Sequence, residues 1–288
     1  MTIRELLSRA AARLGENGVE NPSLDAELLM AKALGVTRAG LYASLNETVH
    51  PGDRADFEGL LEKRCRRYPL QYIIGEQEFM GLSFTVGEGV LIPRADTEVL
   101  VETILNLREN FKSILDLCTG SGAAAVSLAK NIPGSRVTAV DISAKALEYA
   151  ERNAERHGVL DRIDFKKRDI LNWMPRGNYE LVVSNPPYIP RSELPFLPPA
   201  VQKEPGLALD GGEDGLDAYR TIFSYVQKAL LAPGLLALEV GESQAASVLA
   251  LGRRAGFKEA RTVQDLAGRE RVAVFQTRGC PGAGRKSG

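Results

Sequence analysis

The sequence predicts an α/β protein: a doubly wound, mostly parallel seven-stranded sheet preceded by a small helical bundle and a β-hairpin. Three observations carry this. Residues 1 to about 70 place apolar side chains at helical spacing throughout. After Pro93, short branched runs alternate with helical stretches, the signature of strands crossing over through helices. A glycine-rich turn joins the first of those runs to its helix.

In the bundle, Thr2-Ile3-Arg4-Glu5 has the capping-box pattern, and Ile3, Leu6, Leu7, Ala10 and Leu14 follow at helical spacing until Gly15 and Gly18. Asn21-Pro22 restarts a helix through a cap and a proline at its first position; Leu24, Leu28, Leu29 and Leu34 run on to Gly35. A third helix, from Asp53 to Arg67, carries Phe57, Leu60 and Leu61 and ends at Pro69. Glu78 to Val86 reads as two short strands around Gly81. The expected strands are 113–118, 136–141, 163–167, 179–184, 235–240, 257–263 and 271–276, the last two pairing as an antiparallel edge. Helices are expected at about 119–131, 143–157, 216–231 and 243–255. The expected domains are 1–72 helical, 73–92 hairpin linker and 93–278 catalytic, with 279–288 a disordered tail.

Composition limits the function classes. The 288 residues are 44% hydrophobic and 25% charged, ordinary for a globular catalytic domain with a smaller companion. A formal net charge of −1 speaks against a broad phosphate-binding face, so no nucleic-acid substrate is expected. The basic cluster Lys63-Arg64-Cys65-Arg66-Arg67 reads as a solvated helix face. Cys65, Cys118 and Cys280 lack C-x-x-C spacing and His50 and His157 lie far apart, so neither a metal site nor a disulfide framework is expected. No run approaches the roughly 18 apolar residues of a membrane span, and no signal-peptide core opens the chain. The expected location is cytoplasmic.

Two motifs carry chemistry. Asp116-Leu117-Cys118-Thr119-Gly120-Ser121-Gly122 leaves the first strand, and Asp141 ends the second about 20 residues later, placed to accept from a ribose diol. This loop fits NAD and S-adenosylmethionine almost equally. Asp116 tilts the balance, because a carboxylate there suits a cationic methionine end and repels a pyrophosphate. The second motif, Ser184-Asn185-Pro186-Pro187-Tyr188, follows the fourth strand, where two prolines force the chain out of the sheet. It gathers an amide, freed carbonyls and an aromatic ring at a strand end near the topological switch point. Such a group suits methyl transfer to a planar amide or amino nitrogen. An amide nitrogen is a weak nucleophile that keeps its protons, so acceptors that aim it matter more than a base. The Asn185 oxygen and the Pro186 carbonyl are the expected acceptors, with Tyr188 packing on the amide plane; Asn185, Pro186 and Tyr188 are the candidate catalytic residues.

Beyond these motifs the chain resembles the release-factor glutamine methyltransferases, the HemK or PrmC family, over nearly its whole length. The resemblance rests on Asn21 through Leu29, on Pro69 through Ile73 with Gly75 and Phe79, and on Ile92-Pro93-Arg94 with Asp96-Thr97-Glu98. Past the turn it rests on Glu204-Pro205, Ala208-Leu209, Gly211-Gly212, Asp214-Gly215-Leu216 and Tyr219-Arg220. Asn-Pro-Pro-Tyr alone is shared with DNA and RNA amino-methyltransferases. The resemblance implies a Rossmann-like methyltransferase sheet and S-adenosyl-L-methionine as cofactor. Cys118, Thr119, Gly120, Ser121 and Gly122 would border its methionine and ribose, Asp141 would bind the ribose hydroxyls, and Trp173 and Asp169 would lie on the adenine side. Asn185 would meet cofactor and substrate, and Asn185, Pro186, Pro187 and Tyr188 would hold the glutamine of a Gly-Gly-Gln loop in a class 1 peptide-chain release factor. The helical domain would help dock that factor. A ribosomal-protein glutamine and an adenine amino group are the alternative targets. Two positions depart from the family pattern. Ala95 replaces a usual proline, and Cys118 replaces a common glycine, which the loop accepts if the cysteine φ is negative. Arg94 and Glu98 read as an ordinary ion pair at a helix start.

Overall fold

The computed structural model describes residues 1–108, 110–175 and 177–277; the tail expected at 279–288 lies outside them. The chain divides into two compact units, Met1–Glu76 with Leu197–Lys203, and Gln77–Phe196 with Glu204–Gly288.

The first unit is helical. Thr2 caps α1 (Ile3–Glu16) by accepting from the Glu5 N–H, and Glu5 returns the bond to the Thr2 N–H at 2.9 Å, the expected capping box. Pro22 opens α2 (Pro22–Leu34), although the Asn21 side chain makes no capping bond, and Gly35 closes it with φ 65°. Two further helices, α3 (Arg38–Ala43) and α5 (Leu70–Ile74), flank α4 (Pro51–Cys65). At six and five residues they are too short to show a period, which is why periodicity passes over them. Leu14, Leu29, Met30 and Phe57 fill the core. The basic cluster is not a plain solvated face. Arg64 pairs with the buried Asp25 at 2.6 Å and donates to the Tyr68 carbonyl, while Arg67 donates to the carbonyls of Asn17 and Gly18. The Asp25 of the Asn-Pro-Ser-Leu-Asp segment is thus held by an ion pair inside this unit.

The second unit begins in a hairpin, β1 (Glu76–Phe79) and β2 (Leu82–Thr85), turned by Met80 and Gly81 with φ 52° and 70°. Phe79 and Phe84 are buried against α6 (Ala95–Leu107) and the sheet. The main sheet contains β3 (Ser113–Leu117), β4 (Arg136–Asp141), β5 (Ile163–Lys167), β6 (Tyr179–Ser184), β7 (Leu230–Glu239), β8 (Glu259–Gln264) and β9 (Glu270–Gln276). Its order is β5-β4-β3-β6-β7-β9-β8, with β9 antiparallel to both neighbours. The expected antiparallel edge is present, and its hairpin is folded so that the last strand lies inside the penultimate one.

Alternating side chains of β3 feed two cores. Ile114 joins α6, α7 (Ala123–Asn131) and α8 (Ala144–Arg156) on one face. Leu115 and Leu117 join α10 (Asp217–Ala229) and α11 (Ala245–Arg254) on the other, completing the doubly wound layers; a one-turn helix, α9 (Gly206–Leu209), sits in the loop before α10. Helix α6, expected only as a helix start at Arg94 and Glu98, contributes Leu100, Val101 and Ile104 to the first core. The strand order reverses between β3 and β6, so their carboxyl ends diverge into a crevice.

Candidate active site

The crevice holds a cavity of 320 Å³, within the range of small-molecule sites. Its floor is the loop from β3 to α7. Cys118, Gly120 and Gly122 take φ of 60°, 56° and 80°. The cysteine is therefore left-handed, against the negative φ expected for it. An L-residue held there carries on the order of 1–2 kcal/mol of strain, which the bonds around it must hold. Those bonds are visible. The Thr119 N–H donates to the Val140 carbonyl at 2.9 Å and its hydroxyl donates to Asp116 at 2.6 Å. Asp141 accepts from the Gly120 N–H at 2.9 Å and the Ser143 N–H at 2.8 Å, tying the loop to the end of β4. Gly122 lies so close to α8 that an added Cβ would meet Ala150 Cβ at 3.0 Å.

The fully buried Asn153 of α8 braces this loop from behind. Its amide donates to the carbonyls of Ser121 and Thr85, and its oxygen accepts from the Thr85 N–H, so the hairpin and the loop share one side chain. Burial pushes the Asp116 carboxyl up to about 7; the Thr119 hydroxyl counters that and the nearby Asp141 charge adds to it. Burial likewise lifts Asp141 above its ordinary value, against backbone N–H bonds that favour its charge. Burial pushes the Cys118 thiol far up, away from thiolate chemistry.

The second wall is the Asn-Pro-Pro-Tyr turn. The Ser184 hydroxyl donates to the Leu117 carbonyl at 2.7 Å, joining the ends of β6 and β3. Asn185 Nδ2 donates to Thr97 Oγ1 at 3.0 Å, which leaves Oδ1 as the acceptor of an amide that lines the cavity. The Tyr188 carbonyl accepts from Gln244 Nε2 at 2.7 Å, and the same amide reaches the Gly215 carbonyl at 3.2 Å. A Cβ on Gly211 would lie 2.7 Å from Tyr188 Cα, and one on Gly215 would lie 2.3 Å from the Tyr188 oxygen. The glycines of the 211–216 segment thus let one loop lie directly on the turn.

The rim is closed by Glu204, which accepts from the Ile92 N–H at 3.0 Å and pairs with Arg94. Arg94 therefore does not pair with Glu98, as the sequence suggests; Glu98 accepts from the Met80 N–H at 2.6 Å. The partner of Arg94 lies 110 residues along the chain, beyond the reach of a spacing argument.

Of the residues expected at the site, Cys118, Thr119, Gly120, Ser121, Asp141, Asp169, Asn185 and Pro187 line this cavity. Gly122, Pro186, Tyr188 and Trp173 do not. Pro186 is buried under the turn, Tyr188 directs its hydroxyl toward Glu239, and Trp173 packs on the α10 side core. Asp169 also accepts from the Leu171 N–H at 2.9 Å, shaping the strand-end loop. Thr97, Ile142 and Leu207 are among the further lining residues for which the sequence suggests no role. Ile142 and Leu207 have signals: the first is an apolar residue directly after the strand-end acid, and the second is an exposed leucine in the Glu-Pro segment.

These residues fit S-adenosylmethionine. Nothing lies within 4 Å of a Cβ built on Gly120, so the loop backbone is open to a ligand; Asp141 and Asp169 supply acceptors and Ile142 an apolar surface. Among the described residues, no group of three His, Cys, Asp or Glu side chains could hold a metal, and no helix is long and apolar enough to cross a membrane.

Comparison with known proteins agrees with this geometry. The PrmC N-terminal domain family matches residues 5–75, and the Methyltransferase small domain family matches residues 94–194. A release factor glutamine methyltransferase of Moorella thermoacetica is 45% identical over 96% of this chain and 99% of its own. One of Geobacter sulfurreducens is 44% identical over 94% and 95%. Among solved structures, a methyltransferase from Pyrococcus furiosus aligns with a TM-score of 0.52 at 19% identity, over 70% of this chain and 91% of its own, which speaks to the fold. With near-complete coverage at that identity, the chain belongs to the release factor glutamine methyltransferase family of S-adenosylmethionine-dependent enzymes.

Proposed function

We propose that the protein methylates the side-chain amide nitrogen of the glutamine in the Gly-Gly-Gln motif of class 1 peptide-chain release factors, and that it does so in the cytoplasm, where those factors act. The observation that supports this most is the Asn185 amide, oriented by Thr97 at the wall of a cavity whose floor is the glycine loop. S-adenosylmethionine supplies an electrophilic methyl on sulfur. Everything else is positioning. Gly120, Ser121, Asp141 and Asp169 would hold the cofactor. Asn185 Oδ1 would accept from one N–H of the target amide and the main-chain carbonyl of Pro186, whose ring is buried away from the cavity, from the other, so that the weak nucleophile is aimed before attack. As the N–C bond forms and the S–C bond breaks, S-adenosylhomocysteine would leave and the methylated nitrogen, now acidic, would lose one proton to water. Neither Asp116 nor Glu239 is needed as a base in this scheme.

The test is methyl transfer from labelled S-adenosylmethionine to a release factor, wild type or with its Gly-Gly-Gln glutamine replaced. Label on the wild type alone is expected. Label on both would move the target residue, and no label despite cofactor binding would redirect the search to ribosomal proteins and nucleic acid.

A further inference from the structure

Glu239 ends β7, one residue past the Leu238 that pairs with Ser184, and so stands beside the start of the Asn-Pro-Pro-Tyr turn. Its side chain is buried, it is not among the residues lining the cavity described above, and the proposed chemistry does not use it. One carboxylate oxygen, Oε2, has no hydrogen-bond partner of good geometry; the other lies 3.5 Å from the Tyr188 hydroxyl. The backbone carbonyl of the same residue accepts from Tyr219 of α10 at 2.8 Å, which pins the strand end. A buried carboxylate so poorly satisfied is a burden on stability, and an apolar side chain of similar size would pack there at lower cost. Its presence calls for a role outside stability.

The Thr97 hydroxyl supplies the connection. Thr97 Oγ1 accepts from Asn185 Nδ2, so its single proton is free to be donated, and the Glu239 carboxylate lies beside it. We infer that Glu239 is a positioning residue: acting through the Thr97 hydroxyl it fixes the orientation of the Asn185 amide, and through the Tyr188 hydroxyl it restrains the end of the same turn. This rests on the proposed role of Asn185. An ionised carboxylate can only accept. Both hydroxyls then point their protons at it, and Thr97 is left as an acceptor for Asn185. A protonated Glu239 still accepts but without its charge, so the bonds from both hydroxyls weaken and its hold on Thr97 and Tyr188 loosens.

The charged and titratable groups facing it are Asp96 of α6, Arg271 of β9, Tyr188 of the turn and Tyr219 of α10. Arg271 is itself shared between Asp96 at 3.2 Å and Asp265 at 3.0 Å. Burial, with Asp96 adding to it, pushes the Glu239 carboxyl up to about 7; the Thr97 and Tyr188 hydroxyls and Arg271 hold it from rising further. The relay therefore changes state near neutral pH.

The test uses the full-length protein with S-adenosylmethionine and a release factor. Thr97→Val and Glu239→Leu are each expected to lower kcat by about tenfold or more while the Kd for S-adenosylhomocysteine stays within about twofold. Thr97→Ser should restore most of what Thr97→Val loses. If the two residues act in series, the double variant is no worse than the more damaged single variant. Glu239→Gln keeps an acceptor without a titrating proton, so the fall in kcat on lowering pH through about 7 should disappear. Multiplicative losses in the double variant, an unchanged kcat in the single variants, or losses confined to cofactor affinity would overturn the inference. A second readout does not depend on the substrate. The side-chain amide resonances of Asn185 should shift in Thr97→Val and Glu239→Leu and stay in place in Thr97→Ser; shifts absent from the first two also overturn it. If the wild type fails to methylate the release factor, the proposed substrate falls, and these resonances still decide the relay.

Discussion

The glycine loop after β3 and the Asn-Pro-Pro-Tyr turn after β6 leave adjacent strand ends, yet they are held in different ways. The loop is held mostly by its own residues and the next strand: left-handed φ at Cys118, Gly120 and Gly122, the Thr119–Asp116 bond, and Asp141 reaching across from β4. The turn has its shape from two prolines, but its partners come from far along the chain: Thr97 of α6, Gln244 before α11, and the glycines at 211 and 215. A binding loop stiffened locally and a substrate clamp held remotely respond differently to substitution. Damage to the clamp can originate in α6, in the 211–216 segment or before α11, whereas damage to the loop should come from its own residues, the end of β4 and Asn153 of α8.

The largest effect should come from the clamp itself. Asn185→Ala removes the amide but no buried apolar contact, so methyl transfer should fall by about a hundredfold or more while cofactor affinity and melting temperature stay near wild type. Wild-type turnover would remove Asn185 from the chemistry and end the contrast. Gly211→Ala attacks the clamp from a distance. Its Cβ would meet the Tyr188 backbone at 2.7 Å, so we expect destabilisation of about 1–3 kcal/mol by denaturant unfolding together with a drop in kcat. Loss of stability with full activity would show that the turn does not feel the 211–216 loop.

On the loop side, Asp116 gives a pH signature. Its folded carboxyl is raised to about 7 by burial, so the folded state holds that proton more tightly than the unfolded chain does. The contribution to stability is therefore full below the unfolded value and is lost as pH rises through about 7. Asp116→Asn should remove this share, on the order of 2 kcal/mol between about pH 5 and 7.5, read as the variant-minus-wild-type difference in unfolding free energy. A difference that does not change with pH would place the carboxylate in a more polar setting than the structure shows. The smallest effect is expected at Cys118. Glycine relieves roughly 1–2 kcal/mol of left-handed strain but adds about 0.5–1 kcal/mol of chain entropy, so Cys118→Gly should stabilise by no more than about 1.5 kcal/mol. A clear destabilisation would mean that the thiol's packing outweighs the strain.

The same division separates what was legible in the sequence. Strand positions from β3 to β6 were readable to within a residue because branched runs bounded by turn residues are a local signal. The short helices α3 and α5 escaped for want of length, and α6 was anticipated only at its start, from Arg94 and Glu98. Arg94 and Glu98 looked paired because four residues on a helix bring two side chains together. In the folded chain each has a better partner, Glu204 and the Met80 N–H. The left-handed φ of Cys118 was not foreseeable from residue type, because a cysteine ordinarily avoids it.

Local pattern placed the strands and long helices of the sheet, the glycine loop, and a proline-forced turn at the end of the fourth strand, since period and turn chemistry act between near neighbours. Which side chains meet at that turn depends on the assembled sheet. The sheet order sets β6 between β3 and β7 and folds β9 inside β8, so Asn185 finds Thr97 across 88 residues and Tyr188 finds Glu239 across 51. Contacts of that separation depend on which strand ends are neighbours, and a local pattern carries no record of that.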